Sequence, residues 1–220
     1  MLPRLSSRRG QESAPFELLV AVIIMVFVIM VGSYALGEME KQTCRGRILG
    51  ELQKIKLSIE NISKGSGKES LNIYVPTCLN ADKLEFKLKE WDDPQICSDL
   101  CGGSQSLCTL LYFTAGRTVD RGPPEEVEWI WSHSECVKIS INTTFEEQAS
   151  NCNDFGDETC SADAESCEKD YQLVNFKSPY DPDAPAYETV YPIPNGSYTF
   201  IGKFGASSAF PRICAYRKTT

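Results

Sequence analysis

An α+β fold, with a long N-terminal transmembrane and stalk helix packed on an antiparallel β-sheet and a disulfide-rich exterior, is predicted by three features of the sequence. An uncharged run from Leu18 to Leu36 leads into an apolar stripe, Ile48, Leu52, Ile55, Ile59 and Ile62, at spacings of 4, 3, 4 and 3. After Gly67 the apolar pattern changes to period two, as strands require. Ten cysteines, Cys44, Cys78, Cys97, Cys101, Cys108, Cys136, Cys152, Cys160, Cys167 and Cys214, all lie beyond the uncharged run.

Composition narrows the class before any element is placed. The 220 residues include 30 acidic and 22 basic side chains, a net charge of -8, which argues against a nucleic-acid partner because phosphate binding needs concentrated Lys and Arg. A single histidine makes acid–base or His–metal chemistry a poor expectation. The mean hydropathy of -0.25 with 42% hydrophobic residues excludes both a polytopic membrane protein and a disordered chain. The even cysteine count, clustered in one region, reads as a disulfide framework kept in an oxidising compartment. Zinc needs a second ligand pair to answer Cys97 and Cys101, and the sequence offers none, so no metal and no cofactor are expected.

The first helix starts near Pro15, which tolerates the opening turn because its missing N–H has no helical partner there. The 19 residues from Leu18 to Leu36 rise about 28 Å, close to the thickness of a bilayer's hydrocarbon core. Arg4, Arg8 and Arg9 precede them with no acid before Glu12, so the positive-inside rule keeps the N-terminus cytoplasmic and sends the cysteines outside. Ser33-Tyr34-Ala35 offers an alternative, cleavage as an ordinary secretory signal, but the apolar run is longer than such signals carry.

Arg8-Arg9-Gly10, then Gln11 and Ser13, then an acid just ahead of the apolar helix, resembles the class III signal peptide of archaeal type IV pilin-like and archaellin-like proteins. The resemblance covers about residues 8–36. It implies that a prepilin peptidase cuts between Gly10 and Gln11 and that the helix stays in the mature subunit, in the membrane or in a filament with other pilin-like subunits. In that family a glutamate at the fifth mature position neutralises a neighbour's amino terminus. Here that position is Pro15, and Glu17 is the candidate assembly carboxylate. The chain then divides into a leader at 1–10, a transmembrane and assembly helix at 11–37, its extracellular continuation at 38–66, and a disulfide-stabilised β ectodomain at 67–220.

The helix runs on to Ser63, where Ser63-Lys64-Gly65-Ser66-Gly67 stops it. Its stripe needs cover, from the β ectodomain or from a second copy in a coiled coil. Cys44, one turn before Ile48, is placed to staple the stalk to the globular part. Strands follow around Leu71–Val75, Leu84–Leu88, Thr109–Thr114, Val127–Trp131, Val137–Ile141, Leu173–Phe176, Tyr198–Phe204 and Phe210–Tyr216. Ser132–Glu135 reads as the turn of a hairpin, with Val127, Trp129 and Trp131 on one face. The acidic segment 146–170 and the proline- and tyrosine-rich segment 178–196 lack the apolar residues of a core and read as long surface loops.

Several groups invite a site. Asn151, Asn153, Asp154, Asp157 and Glu158 crowd around Gly156 as calcium ligands would, but Phe155 breaks the EF-hand pattern. Trp129 and Trp131 are either core or a stacking platform for sugar. His133 sits between Ser132 and Ser134 near Glu135, too close in sequence for a catalytic triad, and no nucleophile elbow, P-loop or dinucleotide fingerprint is present. Asn61, Asn142 and Asn195 open N-glycosylation sequons on the expected outer side. The expectation is a non-catalytic, membrane-anchored surface subunit of pilin-like type, structural or adhesive. The alternative is a single-pass anchored binding module, for glycan as one example, that does not polymerise.

Overall fold

The computed structural model describes residues 14–65, 67–103, 106–119, 126–140, 142–146, 152, 171–177, 192–204 and 210–218. Its contacts divide the chain into two compact units, Met1–Arg45 and Gly46–Thr220. Helix α1, Ala14–Ser63, is 50 residues long and supplies all the described structure of the first unit. Gly10, Gln11, Glu12 and Ser13 lie outside the described residues, as do Cys160, Cys167, the calcium-like group at 151 and 153–158, and 178–191 of the proline-rich segment.

The second unit carries the end of α1 and eight strands: β1 Gly67–Ile73, β2 Lys83–Trp91, β3 Cys108–Val119, β4 Glu126–Val137, β5 Thr144–Phe145, β6 Tyr171–Leu173, β7 Gly196–Phe204 and β8 Pro211–Lys218, with helix α2, Pro94–Cys101, between β2 and β3. The strands form two sheets rather than one. In the first, β1, β7 and β8 are antiparallel neighbours. The other edge of β8 takes β5, parallel, at Arg212–Ile213 and β6, antiparallel, at Tyr216–Lys218. The second sheet is an antiparallel meander, β2–β3–β4. A backbone bond from Ile193 N to Phe86 O, 2.7 Å, ties β2 to the segment that leads into β7.

The stripe read from the sequence is the spine of this core. Ile48, Leu52, Ile55 and Ile59 are 0% exposed and Ile62 is buried with them. Both sheets supply alternating residues to the interior: Leu71, Ile73, Tyr198, Phe200, Ile213 and Ala215 from one, Phe86, Leu88, Leu111, Phe113 and Ala115 from the other. Polar groups on the flanks of the helix reach both sheets. Ser58 donates to Glu69 of β1 at 2.9 Å, while Gln53 and Lys56 donate to Glu135 of β4 at 2.7 and 3.1 Å. A further buried tie links β2 to the segments that flank β5 and β6, since the Lys177 ammonium meets Glu90 of β2 and the Thr143 carbonyl, each at 2.7 Å.

Gly202 marks where the end of α1 meets the middle of β7. A Cβ there would lie 2.6 Å from the Ile62 carbonyl oxygen and 2.9 Å from Ile62 Cγ1. Backbone cannot swing aside as a side-chain tip can, so Gly202→Ala is expected to cost about 2 kcal/mol, the scale of an overpacked core. Urea unfolding of the variant against the parent measures it, and an unchanged midpoint would rule out the close approach.

Three local expectations are corrected. The hairpin turn at Ser132–Glu135 is absent, because β4 runs from Glu126 to Val137 and pairs with β3 through all four of those residues. Val137 ends that strand, so Val137–Ile141 is no separate strand among its described residues. Residues 94–101, which fall between the strands read from the sequence, form a helix, α2, whose start follows from local chemistry. Asp93 accepts from Gln95 N and Ile96 N at 2.9 and 3.1 Å, and Pro94 occupies the first turn. Gly102, at φ 69°, closes the helix in the left-handed region that glycine enters freely.

Three disulfides stabilise the second unit: Cys97–Cys108 and Cys101–Cys136 pin α2 to β3 and β4, and Cys152–Cys214 ties the segment after β5 to β8. Cys44 and Cys78 are each disulfide-bonded as well. No described cysteine is a free thiol.

Candidate functional site

The first unit offers one chemical feature, an unbroken apolar helix surface. Among its residues from Phe16 to Leu36, the large apolar side chains are between 38% and 74% exposed. The helix is long and apolar enough to cross a membrane, with a mean hydropathy of 2.8 in its apolar window and none of that window buried. Such a surface cannot face water at low cost, since each exposed Leu, Ile, Phe or Met forgoes about 1.5–3 kcal/mol of burial. Its few polar groups are served internally: the Ser33 hydroxyl donates to the Met30 carbonyl at 3.0 Å, and Thr43 donates to Met39 at 2.8 Å. Charge returns beyond the run, where Lys41 pairs with Glu38 at 2.7 Å. Glu17 lies in the first turn, exposed, at the opposite end of the uncharged run. A carboxylate there complements the positive end of the helix dipole.

In the second unit the three-stranded sheet has two unlike faces. Register pairs Phe113 with His133 and Ala115 with Trp131, and these residues share the inward face with Phe86. The Trp131 ring lies 5.6 Å from Phe113 and stacks on His133 at 6.0 Å. The register then shifts between Ala115 and Gly116, leaving Ile130 unpaired as a β-bulge. The extra residue sends Trp129 to the outward face, paired with Gly116, where the Lys87 ammonium sits 5.8 Å from its ring centroid. Trp129 and Trp131 therefore do not share a face, contrary to the period-two reading. Trp129 is 55% exposed. Gly116 is required beneath it, because a Cβ there would come within 2.6 Å of Val127 Cγ1 and 3.0 Å of Trp129 Cε3.

The outward face also carries Tyr112, whose phenol is pushed up to about 12 by burial and by the nearby Glu85 carboxylate, so it stays a neutral donor at any physiological pH. Glu85 itself is paired with Lys87 at 2.7 Å. His133 lies within a strand, with Glu135 at 3.7 Å, and its neighbours Ser132 and Ser134 alternate to the other face, which no Ser–His–acid relay can use. Glu135 is instead an anchor for α1. Among the described residues no group of three or more His, Cys, Asp or Glu could hold a metal ion.

The three sequon asparagines are all exposed. Asn61 lies in the last turn of α1, and the hydroxyl of its sequon partner Ser63 is turned inward onto the Glu60 carbonyl at 2.9 Å. Asn142 stands before β5 with Thr143 fully buried beside it. Asn195 opens β7 and accepts from Val75 N at 2.6 Å, while Ser197 donates to Asn72 at 2.6 Å. Comparison with protein-family models, curated proteins and solved structures finds no match for this chain.

Proposed function

We propose that this protein is a pilin-like, membrane-anchored cell-surface subunit of archaeal type, structural or adhesive and without catalysis. The observation that carries the reading is the exposed apolar surface of α1 from Phe16 to Leu36, on a chain whose remaining residues build their own disulfide-tied core. A helix of that kind needs either lipid or the helices of neighbouring subunits, and both environments serve a pilin-like protein. A prepilin peptidase removes residues 1–10 by cutting between Gly10 and Gln11. Removing Arg4, Arg8 and Arg9 from 22 basic residues leaves 19 against 30 acidic ones, a net charge of -11 on the mature chain. The cysteine-bearing unit lies outside the cell, where disulfides persist and where Asn61, Asn142 and Asn195 are available for glycosylation.

In this reading Glu17 neutralises the amino terminus of an adjacent subunit, homologous or identical, as the helices pack into a filament core. The alternative, an anchored binding module that does not polymerise, is favoured by one feature, Pro15 in the position that the pilin-like pattern reserves for glutamate. Glu17→Gln separates the two. Recovery of the protein in filaments sheared from the cell surface is expected to fall at least tenfold, while the membrane-inserted pool stays unchanged. An undiminished filament yield would remove the assembly role, and absence of filaments from the parent would leave the anchored module.

A further inference from the structure

The outward face of the three-stranded sheet is only half covered. Helix α2 closes one end of it, where Ile96 and Cys101 pack on Cys97, Cys108, Leu110 and Cys136. Beyond α2 opens a cleft of about 200 Å³ lined by Trp91, Ile96, Leu100, Tyr112, Ser132 and Ser134. The two disulfides of α2 hold its walls to β3 and β4. Further along the same face, past Thr114 and Ser132, the bulge presents the indole of Trp129 to solvent.

We propose that this face binds a neutral carbohydrate, one sugar ring stacked on Trp129 and the next seated in the cleft. Three features select that chemistry. The face joins aromatic surface, which receives the C–H side of a pyranose, to hydroxyls that exchange hydrogen bonds with its edge. The cleft itself sets the rings of Trp91 and Tyr112 beside Ser132 and Ser134, an aromatic wall next to hydroxyl-bearing residues. Charge is compensated at the platform: Lys87 beside Trp129 is paired with Glu85 at 2.7 Å, while Lys89 lies 5.4 Å from the Trp91 ring centroid at the cleft. The disulfide-held walls lose little freedom on binding, which favours a small ligand.

The inference rests on the surface-display reading only for where the sugar would be met; binding itself needs no assembly. The test uses the purified full chain in a zwitterionic, sugar-free detergent. Tetrasaccharides of β-1,4-glucose, β-1,4-N-acetylglucosamine and α-1,2-mannose are titrated by calorimetry and by tryptophan fluorescence. At least one is expected to bind saturably with a dissociation constant on the order of 0.1 mM. Trp129→Ala, which removes an exposed side chain, is expected to weaken that binding about tenfold or more, as loss of a stacking platform does. Tyr112→Phe keeps the ring but deletes a hydroxyl of the cleft, and is expected to weaken it about fivefold to tenfold. Saturable binding by none of the three sugars, or binding undiminished in Trp129→Ala, overturns the proposal. An undiminished filament yield in Glu17→Gln, which removes the assembly role, leaves the proposal standing if sugar binding is intact, so the two readings fail separately.

Discussion

Placing arginine at both Ile24 and Phe27 is expected to abolish membrane insertion. At the centre of a spanning helix an apolar residue of this kind favours insertion by about 0.3–0.6 kcal/mol, and arginine opposes it by about 2.5–3.5 kcal/mol. Two substitutions therefore shift the balance by about 6 kcal/mol, enough to reverse the preference of a 19-residue run. The side chains are 56% and 65% exposed and belong to the first unit, so no packing in the disulfide-tied unit is disturbed. The effect isolates the surroundings of the helix. Carbonate extraction of cell membranes measures it: the parent and an Ile24→Leu/Phe27→Leu control stay in the pellet, and the double-arginine variant leaves it. An unchanged pellet fraction would mean that the helix does not lie in lipid.

Removing the Cys152–Cys214 disulfide is expected to be the most damaging single change to the stability of the second unit. The bridge closes a segment with a sequence separation of 62, against 35 for Cys101–Cys136 and 11 for Cys97–Cys108. Chain entropy assigns the longest loop about 4 kcal/mol and the shortest about 3 kcal/mol. Packing adds to the difference. Cys214 is fully buried in the middle strand of the first sheet and clusters with Ile201 and Tyr216, whereas Cys97–Cys108 fixes only the short helix α2. Replacing both cysteines by alanine avoids burying a hydroxyl. Urea unfolding of Cys152→Ala/Cys214→Ala is then expected to show a loss of about 4 kcal/mol, with a smaller loss for Cys97→Ala/Cys108→Ala. The reverse order would show that β8 is held by its strand neighbours alone.

The helix stripe was legible because burial on one side of a helix leaves a spacing that no strand can mimic. Strand β2 was legible because Phe86 and Leu88 alternate into the interior, whereas β3 and β8, buried at consecutive positions, were legible as dense apolar runs. β4 was misread for a physical reason. As the edge of its sheet it tolerates polar residues in its interior, so Ser132, His133, Ser134 and Glu135 imitate a turn while continuing a strand. α2 spans only two turns and has no room for a periodic signal, although Asp93-Pro94 marks its start. The pairing of β5 with β8 rests on two residues, too few to leave a pattern.

The candidate sites were legible in unequal measure. The apolar run declared itself by length and lack of charge, and its exposed surface in the fold is what gives it consequence. The tryptophan platform was not readable as it stands, because strict alternation puts Trp129 with Trp131. One extra residue in β4, Ile130, separates them, and bulges follow from sheet geometry rather than from a local motif. Tyr112 and Trp91 join Trp129 only through strand register, which links residues distant in the chain.

The mature amino terminus tests the central claim most directly. The protein is expressed in an archaeal host that has a prepilin peptidase, recovered from the membrane and from sheared surface material, and its N-terminal peptide is identified by mass spectrometry. The account predicts a chain that begins at Gln11 and keeps the whole apolar helix. A chain that begins at Met1 in the membrane, or at Leu36 in the medium, would contradict it.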